Sequence, residues 1–168
     1  MPNINEILLN SFKNENIAVS DSQLAQFIRY YELLLEWNEK INLTAITEPA
    51  DVAVKHFADS LLALKMLPDD NWQNKKMIDI GTGAGFPAIP LKIMKQSLDV
   101  TLFDSLQKRL NFLDNVCQEL ALANIRTVHG RAEDSGQDKT MREQYDNACA
   151  RAVAKMPVLL EYTLPFVK

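Results

Sequence analysis

Cysteine is scarce in this chain and forms no metal-binding or redox pattern. Only Cys117 and Cys149 occur in 168 residues, far apart and with no C-x-x-C pair. Each lies in an apolar periodic segment, so buried free thiols in a reducing compartment are expected rather than a disulfide or a metal site. Histidine is equally sparse. Neither His56 nor His129 has a second histidine four residues away, so no metal is expected. No apolar run approaches the length that spans a bilayer, and the N-terminus lacks a basic region followed by an apolar stretch. A cytoplasmic protein without membrane contact is expected. An excess of positive charge is missing too. The formal net charge is −4, so any nucleic-acid role requires a local basic face. The length suits one domain, or a domain with a small extension, and the 47% hydrophobic content supplies a core.

Glycine is rare as well, and three of the five glycines fall within one short stretch, Met77-Ile78-Asp79-Ile80-Gly81-Thr82-Gly83-Ala84-Gly85-Phe86-Pro87. An apolar strand ends in an acid, a glycine turn follows, and a helix opens near Pro90. That order suits a backbone passing close to a small ligand at the carboxyl end of a parallel strand, where a Cβ would block the turn or the ligand. The spacing is G-x-G-x-G. Phe86 occupies the third glycine position of the dinucleotide fingerprint G-x-G-x-x-G.

Residues 1–70 read as an all-helical extension. Ile4, Ile7, Leu8 and Phe12 mark a first helix, and Ser20 with Gln23 reads as a capping box. Leu24, Phe27, Ile28, Tyr31, Leu34 and Leu35 carry a second helix to about Asn38. Thr47 and Pro49 open a third, which Pro68 stops, and Pro68 to Lys75 is the linker. These amphipathic helices either complete a substrate surface or simply pack on a sheet.

Residues 71–168 alternate strand and helix. Strands are expected at 76–80, 98–103, 125–129 and 145–150. Helices are expected at 88–96, 108–122 and 158–166, and Ser135 to Lys139 reads as an exposed loop. The pattern is an α/β fold, a mainly parallel doubly wound sheet flanked by helices, with ligands at the strand ends. With only four strands before Lys168, an uncovered sheet edge and missing C-terminal strands are expected.

The strand ends supply the chemistry. Asp104 ends the second strand about 20 residues past the glycine turn, where an acid accepts ribose hydroxyls; it also suits capping of the next helix. Arg131-Ala132-Glu133-Asp134 follows the third strand, where acids hold an adenine amino group or simply cap a helix. Arg151 ends the fourth. It either holds a carboxylate or phosphate, or pairs with Asp146 or Glu133. His56 reads as structural, His129 as ambiguous, and Trp37 and Trp72 as packing residues. Lys108, Arg109, Arg126, Arg131, Arg151 and Lys155 form either a phosphate-facing rim or a solvated charge set.

The aspartate, glycine turn and second-strand acid resemble the Rossmann-like class I S-adenosylmethionine-dependent methyltransferases. More narrowly, the chain resembles the bacterial methyltransferases that modify guanine N7 in small-subunit ribosomal RNA, once called glucose-inhibited division protein B. Trp37-Asn38, Ile41-Asn42-Leu43-Thr44 and His56-Phe57-Ala58-Asp59-Ser60-Leu61 match that family's helical extension. Asp79 to Pro87 matches its cofactor loop; Asp104-Ser105, Lys108-Arg109 and Phe112-Leu113 match its second block; Arg131-Ala132-Glu133 and Arg151-Ala152 complete it. The chain departs from the pattern at Ala88, where the family has glycine, and in a longer loop between Glu133 and Tyr145. The resemblance implies that Gly81, Phe86, Ala132, Glu133 and Arg151 line the S-adenosylmethionine site. Turn geometry and the ribose argument add Asp79, Gly83, Gly85 and Asp104.

The implied partner is 16S ribosomal RNA or the small ribosomal subunit, bound through the basic rim, and a monomer is expected. Guanine N7 carries a lone pair and no proton, so its methylation requires no general base, and Arg151 is the candidate catalytic residue by positioning substrate or the methionine carboxylate. No Asn/Asp-Pro-Pro-aromatic run, the motif similar enzymes use on exocyclic amines, follows the fourth strand, and Cys149 lies within that strand rather than in a loop. Two alternatives remain: a nicotinamide-dependent oxidoreductase, which Gly81, Gly83 and Asp104 suit equally, and a non-catalytic fragment or binding module.

Overall fold

A computed structural model describes residues 3–168. Helix α1 (Ile4–Asn14) starts at Asn3, whose side chain accepts from Glu6 N. Helix α2 (Asp21–Ile41) starts at the predicted capping box, with Gln23 N donating to Ser20 Oγ and Ser20 N to Gln23 Oε1. Such a box contributes roughly 1 kcal/mol. The helix runs past Asn38 and ends at Asn42, which takes a left-handed conformation (φ 49°) open to asparagine at little cost.

The third predicted helix is composite. It comprises α3 (Pro49–Asp51), a π-helical segment (Val52–Ala58), α4 (Asp59–Leu61) and α5 (Ala63–Met66). Val52 and Phe57, and Ala53 and Ala58, are buried at five-residue spacing, which the wider π turn brings onto one face. A 3₁₀ turn (Asp69–Asn71) leads into the sheet.

Strands β1 (Lys76–Ile80), β2 (Asp99–Asp104), β3 (Ile125–His129) and β4 (Asn147–Cys149) form one parallel sheet in the order β3-β2-β1-β4. Helices α6 (Ala88–Met94) and α7 (Gln107–Glu119) connect the first three strands. A short helix, α8 (Ala132–Ser135), and turns lead to β4; helix α9 (Met156–Thr163) and a 3₁₀ turn (Leu164–Phe166) follow it. The central strands are buried on both faces, as parallel sheets require. One large hydrophobic cluster unites the helical extension with Met77, Val100 and Leu102 of the sheet. A smaller one, Ile78, Ile80, Phe103, Tyr145 and Phe166, occupies the opposite face.

Three local expectations are adjusted. The stretch from Ser135 is not simply an exposed loop, because α8 enters it and Gly136 is buried beneath Pro165. At the β4 edge, Val167 bridges Tyr145 in parallel, with Tyr145 N donating to Phe166 O and Lys168 N to Tyr145 O. The free thiols Cys117 and Cys149 are half-buried rather than fully buried. Trp72 is buried, and Trp37 packs on Phe112 while its Nε1–H donates to Asn115. Among the described residues, no helix is long and apolar enough to cross a membrane.

Candidate functional site

The glycine turn gathers the strand ends. Gly81, Gly83 and Gly85 all have positive φ (65°, 61° and 94°). The amides of Gly81 and Thr82 donate to Phe103 O, which ties the turn to β2. Asp104 is buried and does two local jobs. Its Oδ2 accepts from Gly83 N at 2.9 Å, and its Oδ1 accepts from Leu106 N at 2.9 Å, just before α7. Arg109 lies 3.5 Å from the same carboxylate. Two further lone pairs of the carboxylate remain for a ligand.

The three glycines are needed for different reasons. At Gly85 a Cβ would lie 2.6 Å from Ile89 Cδ1, 2.7 Å from the Tyr30 hydroxyl and 2.9 Å from Leu113 Cδ2, so core packing excludes it. At Gly81 it would strike Val153. At Gly83 the nearest atom is 3.9 Å away, so the space above is open, and a methyl there would fill room available to a ligand.

Two cavities meet at Gly81. The first, about 160 Å³, lies over β1, β2 and β3 and is bounded by Asp104, Gly130, Ala132, Glu133, Val153 and Tyr162. The second, about 450 Å³, lies between the turn and the helical extension, against Thr44, His56, Gly83, Phe86, Arg109 and Arg151. Gly83, Phe86 and Arg151 therefore border the larger cavity, Asp104, Ala132 and Glu133 the smaller one, and Gly81 both. Asp79 and Gly85 border neither cavity; they sit beneath the turn.

Asp79 is wholly buried. Its Oδ2 accepts from Thr82 Oγ1 at 2.7 Å, while Oδ1 lacks a hydrogen-bond partner among the described residues. Burial pushes its carboxyl up to about 7, and the Thr82 hydroxyl opposes that shift. Glu133 is held below its ordinary range by its own backbone amide and by the Tyr162 hydroxyl.

Arg151 pairs with neither Asp146 nor Glu133. Its NH1 contacts Asp59 Oδ2 at 2.9 Å, its NH2 donates to His56 Nδ1 at 3.2 Å, and its guanidinium lies 5.2 Å from the Phe86 ring centroid. Asp146 instead accepts from Lys76 N and pairs with Lys168. His56 stacks on Phe86, with centroids 4.5 Å apart and planes 11° apart. Desolvation and the Arg151 charge lower its pKa to about 4, so the ring is neutral at physiological pH. His56 thus has the packing contacts of a structural histidine, and it also forms part of the wall of the larger cavity. No local sequence signal marked this, since the π segment that holds His56 reads as an ordinary helix.

Leu43, Thr44, Thr82, Val153 and Tyr162 also border these cavities and were not named as site residues by sequence. Of the basic residues, Arg109 and Arg151 border one cavity and Arg131 the other, whereas Arg126 pairs with Asp99 at the amino end of the sheet, away from the site. His129 is exposed and bonded to Ser105 O. Among the described residues, no three His, Cys, Asp or Glu side chains gather as for a metal ion.

The arrangement fits S-adenosylmethionine. An acid with free lone pairs stands at the end of β2, open space lies above Gly83, and backbone and carboxylate groups of the β3 loop flank the smaller cavity. A Staphylococcus aureus structure assigned as a caffeoyl-CoA O-methyltransferase is similar, with a TM-score of 0.59 and 17% identity, covering 98% of this chain and 68% of that one. A SAM-dependent methyltransferase from Aquifex aeolicus gives 0.56 and 18%, covering 76% and 66%. These likenesses show the class I methyltransferase fold.

The "Ribosomal RNA small subunit methyltransferase G" of Alkaliphilus oremlandii is 52% identical over 167 residues, covering 98% of this chain and 68% of that protein. The protein of the same name from Streptococcus pneumoniae is 52% identical over 165 residues, covering 97% and 68%. The profile of rRNA small subunit methyltransferase G matches residues 23–168. That match displaces the nicotinamide-dependent alternative, and the chain belongs to the rRNA small subunit methyltransferase G family.

Proposed function

We propose that this chain methylates N7 of a specific guanine in 16S ribosomal RNA, with S-adenosylmethionine as donor. When bound, S-adenosylmethionine supplies the electrophilic sulfonium methyl. The Asp104 carboxylate is placed to accept the ribose hydroxyls, and the Ala132 backbone and Glu133 to hold the adenine. Gly81, Gly83 and Phe86 shape the passage into the larger cavity, where Arg151 faces the methionine end or the target base.

One observation carries the choice of acceptor atom: the histidine and the carboxylate that border the larger cavity are both committed to Arg151. His56 is its only histidine, and it is neutral with both ring nitrogens engaged, by Arg151 and by Thr44. Asp59 is paired to Arg151. A nucleophile that must first lose a proton finds no uncommitted histidine or carboxylate there, whereas guanine N7 has a lone pair and no proton to lose. Catalysis then rests on orientation and electrostatics. The exposed Lys108 and Lys155, with Arg109 and Arg131 at the cavity mouths, suit phosphate contacts for an unstacked RNA base.

The test is transfer of labelled methyl to 16S RNA, or to small subunits, with guanine or 7-deazaguanine at the target. Transfer to guanine alone is expected. Product on the 7-deaza substrate refutes the assignment to N7.

A further inference from the structure

The larger cavity contains a hydroxyl that can only donate. Thr44 Oγ1 accepts from Ile46 N at 3.0 Å, which uses one lone pair. The second partner is His56 Nε2, also at 3.0 Å. Its role follows from the other side of the ring. Arginine has no acceptor, so the contact from Arg151 NH2 to His56 Nδ1 makes Nδ1 the acceptor and leaves the ring proton on Nε2. That proton points to Thr44 Oγ1 and uses its second lone pair. The Thr44 hydroxyl hydrogen meets no acceptor among the described residues, and Thr44 borders the cavity. The backbone holds the group in place, because Thr44 N donates to Asn38 Oδ1 at 2.8 Å.

We propose that Thr44 is a specificity-determining residue that donates its hydroxyl proton to O6 of the target guanine. This rests on the proposed function. The edge of guanine that offers N7 also offers O6 as an acceptor, whereas adenine places an amino donor at that position. A hydroxyl with both lone pairs taken can satisfy a carbonyl but cannot receive an amine, so adenine leaves two donors facing each other. A buried donor left unpaired is penalised strongly enough to give selection of about tenfold to a hundredfold. His56 and Arg151 act as positioning residues, since their bonds fix the direction of the Thr44 proton.

The test is binding of a short 16S-derived RNA to the chain saturated with S-adenosylhomocysteine, with guanine, inosine or 2,6-diaminopurine at the target position. Inosine keeps O6; 2,6-diaminopurine replaces it with an amine. Wild type is expected to bind the guanine and inosine RNAs about tenfold or more above the diaminopurine RNA. Thr44→Ser should keep that ratio, and Thr44→Val should bring it close to one while binding S-adenosylhomocysteine as wild type does. His56→Phe retains the stack on Phe86 but frees a lone pair on Thr44, so it should narrow the ratio by gaining affinity for the diaminopurine RNA. That variant also decides the matter if Thr44→Val fails to fold. An unchanged ratio in Thr44→Val and His56→Phe overturns the proposal. A Thr44→Val loss confined to S-adenosylhomocysteine also overturns it, by assigning the hydroxyl to the cofactor. If wild type binds S-adenosylhomocysteine but none of the RNAs, the RNA-methylation reading itself fails, and this proposal with it.

Discussion

Adding one methyl group at Gly83 and the same group two residues later at Gly85 should damage different properties. Both positions have positive φ, so Ala costs about 1–2 kcal/mol of backbone strain at either. At Gly83 little else is added, because the nearest atom to a Cβ is 3.9 Å away. For a chain of this length that strain lowers Tm by roughly 2–8 °C. At Gly85 three atoms lie within 3.0 Å of the new Cβ. Overpacking adds about 1–3 kcal/mol. Displacing the Tyr30 hydroxyl, which donates to Ala84 O, adds about 1–3 kcal/mol more. The total approaches the whole stability of an ordinary domain. Calorimetric titration with S-adenosylhomocysteine, beside thermal melting, separates the two. Gly83→Ala should fold and lose most of its affinity, since its methyl enters the ligand's space. Gly85→Ala should melt at least about 6 °C below wild type or fail to fold. Equal melting of the two variants, or wild-type affinity in Gly83→Ala, refutes this division of roles.

Asp104→Ala removes the acceptor of Gly83 N and Leu106 N and leaves Arg109 unpaired, so S-adenosylhomocysteine affinity should fall at least about tenfold; Asp104→Asn, which keeps one acceptor oxygen, should lose less. Asp79 and His56 impose opposite pH dependences. Between about 3.8 and 7 the folded state keeps the Asp79 proton that the unfolded chain has lost, so this group's contribution to stability falls as pH rises. Between about 4 and 6.5 the unfolded chain holds a His56 proton that the folded state lacks, so its contribution rises with pH. The wild-type Tm should therefore be flatter across that range than that of either variant. Asp79→Asn should leave a positive slope and His56→Phe a negative one, and parallel profiles for all three would refute the assignment. Arg151→Lys should weaken methyl transfer more than folding, because an ammonium cannot reach Asp59 and His56 together; equal losses in both would point to a structural role.

What sequence could reveal was what short range decides. The bounds expected for β1 and β3 coincide with the observed strands, and the Ser20 capping box forms as its three-residue spacing to Gln23 requires. Asp104 is both a strand-end acid and the acceptor for Leu106 N, because both partners lie within a few positions of the turn geometry that places them. The π segment was hidden because a five-residue repeat of small and apolar residues also reads as an ordinary helical face. The surroundings of His56 were hidden for a different reason. Its meaning comes from Arg151, 95 positions later, and no local period couples a helix of the extension to a loop after the fourth strand.

The same contact bears on what the extension is for. If the helices merely covered the sheet, their polar residues would face solvent while Leu8, Phe12 and Phe27 packed inward. Instead Thr44, Lys55, His56 and Asp59 border the cavity beside the glycine loop, and Arg151 is bonded to three of them, at Lys55 O, His56 Nδ1 and Asp59 Oδ2. Arg151 is thus positioned by the extension rather than by its own strand. Loosening the extension should therefore misplace Arg151 while leaving Asp104 and the smaller cavity intact. The expected signature is a loss of methyl transfer with S-adenosylhomocysteine binding largely retained, and Asp59→Asn, which weakens the ion pair without touching the core, is the variant that reads it.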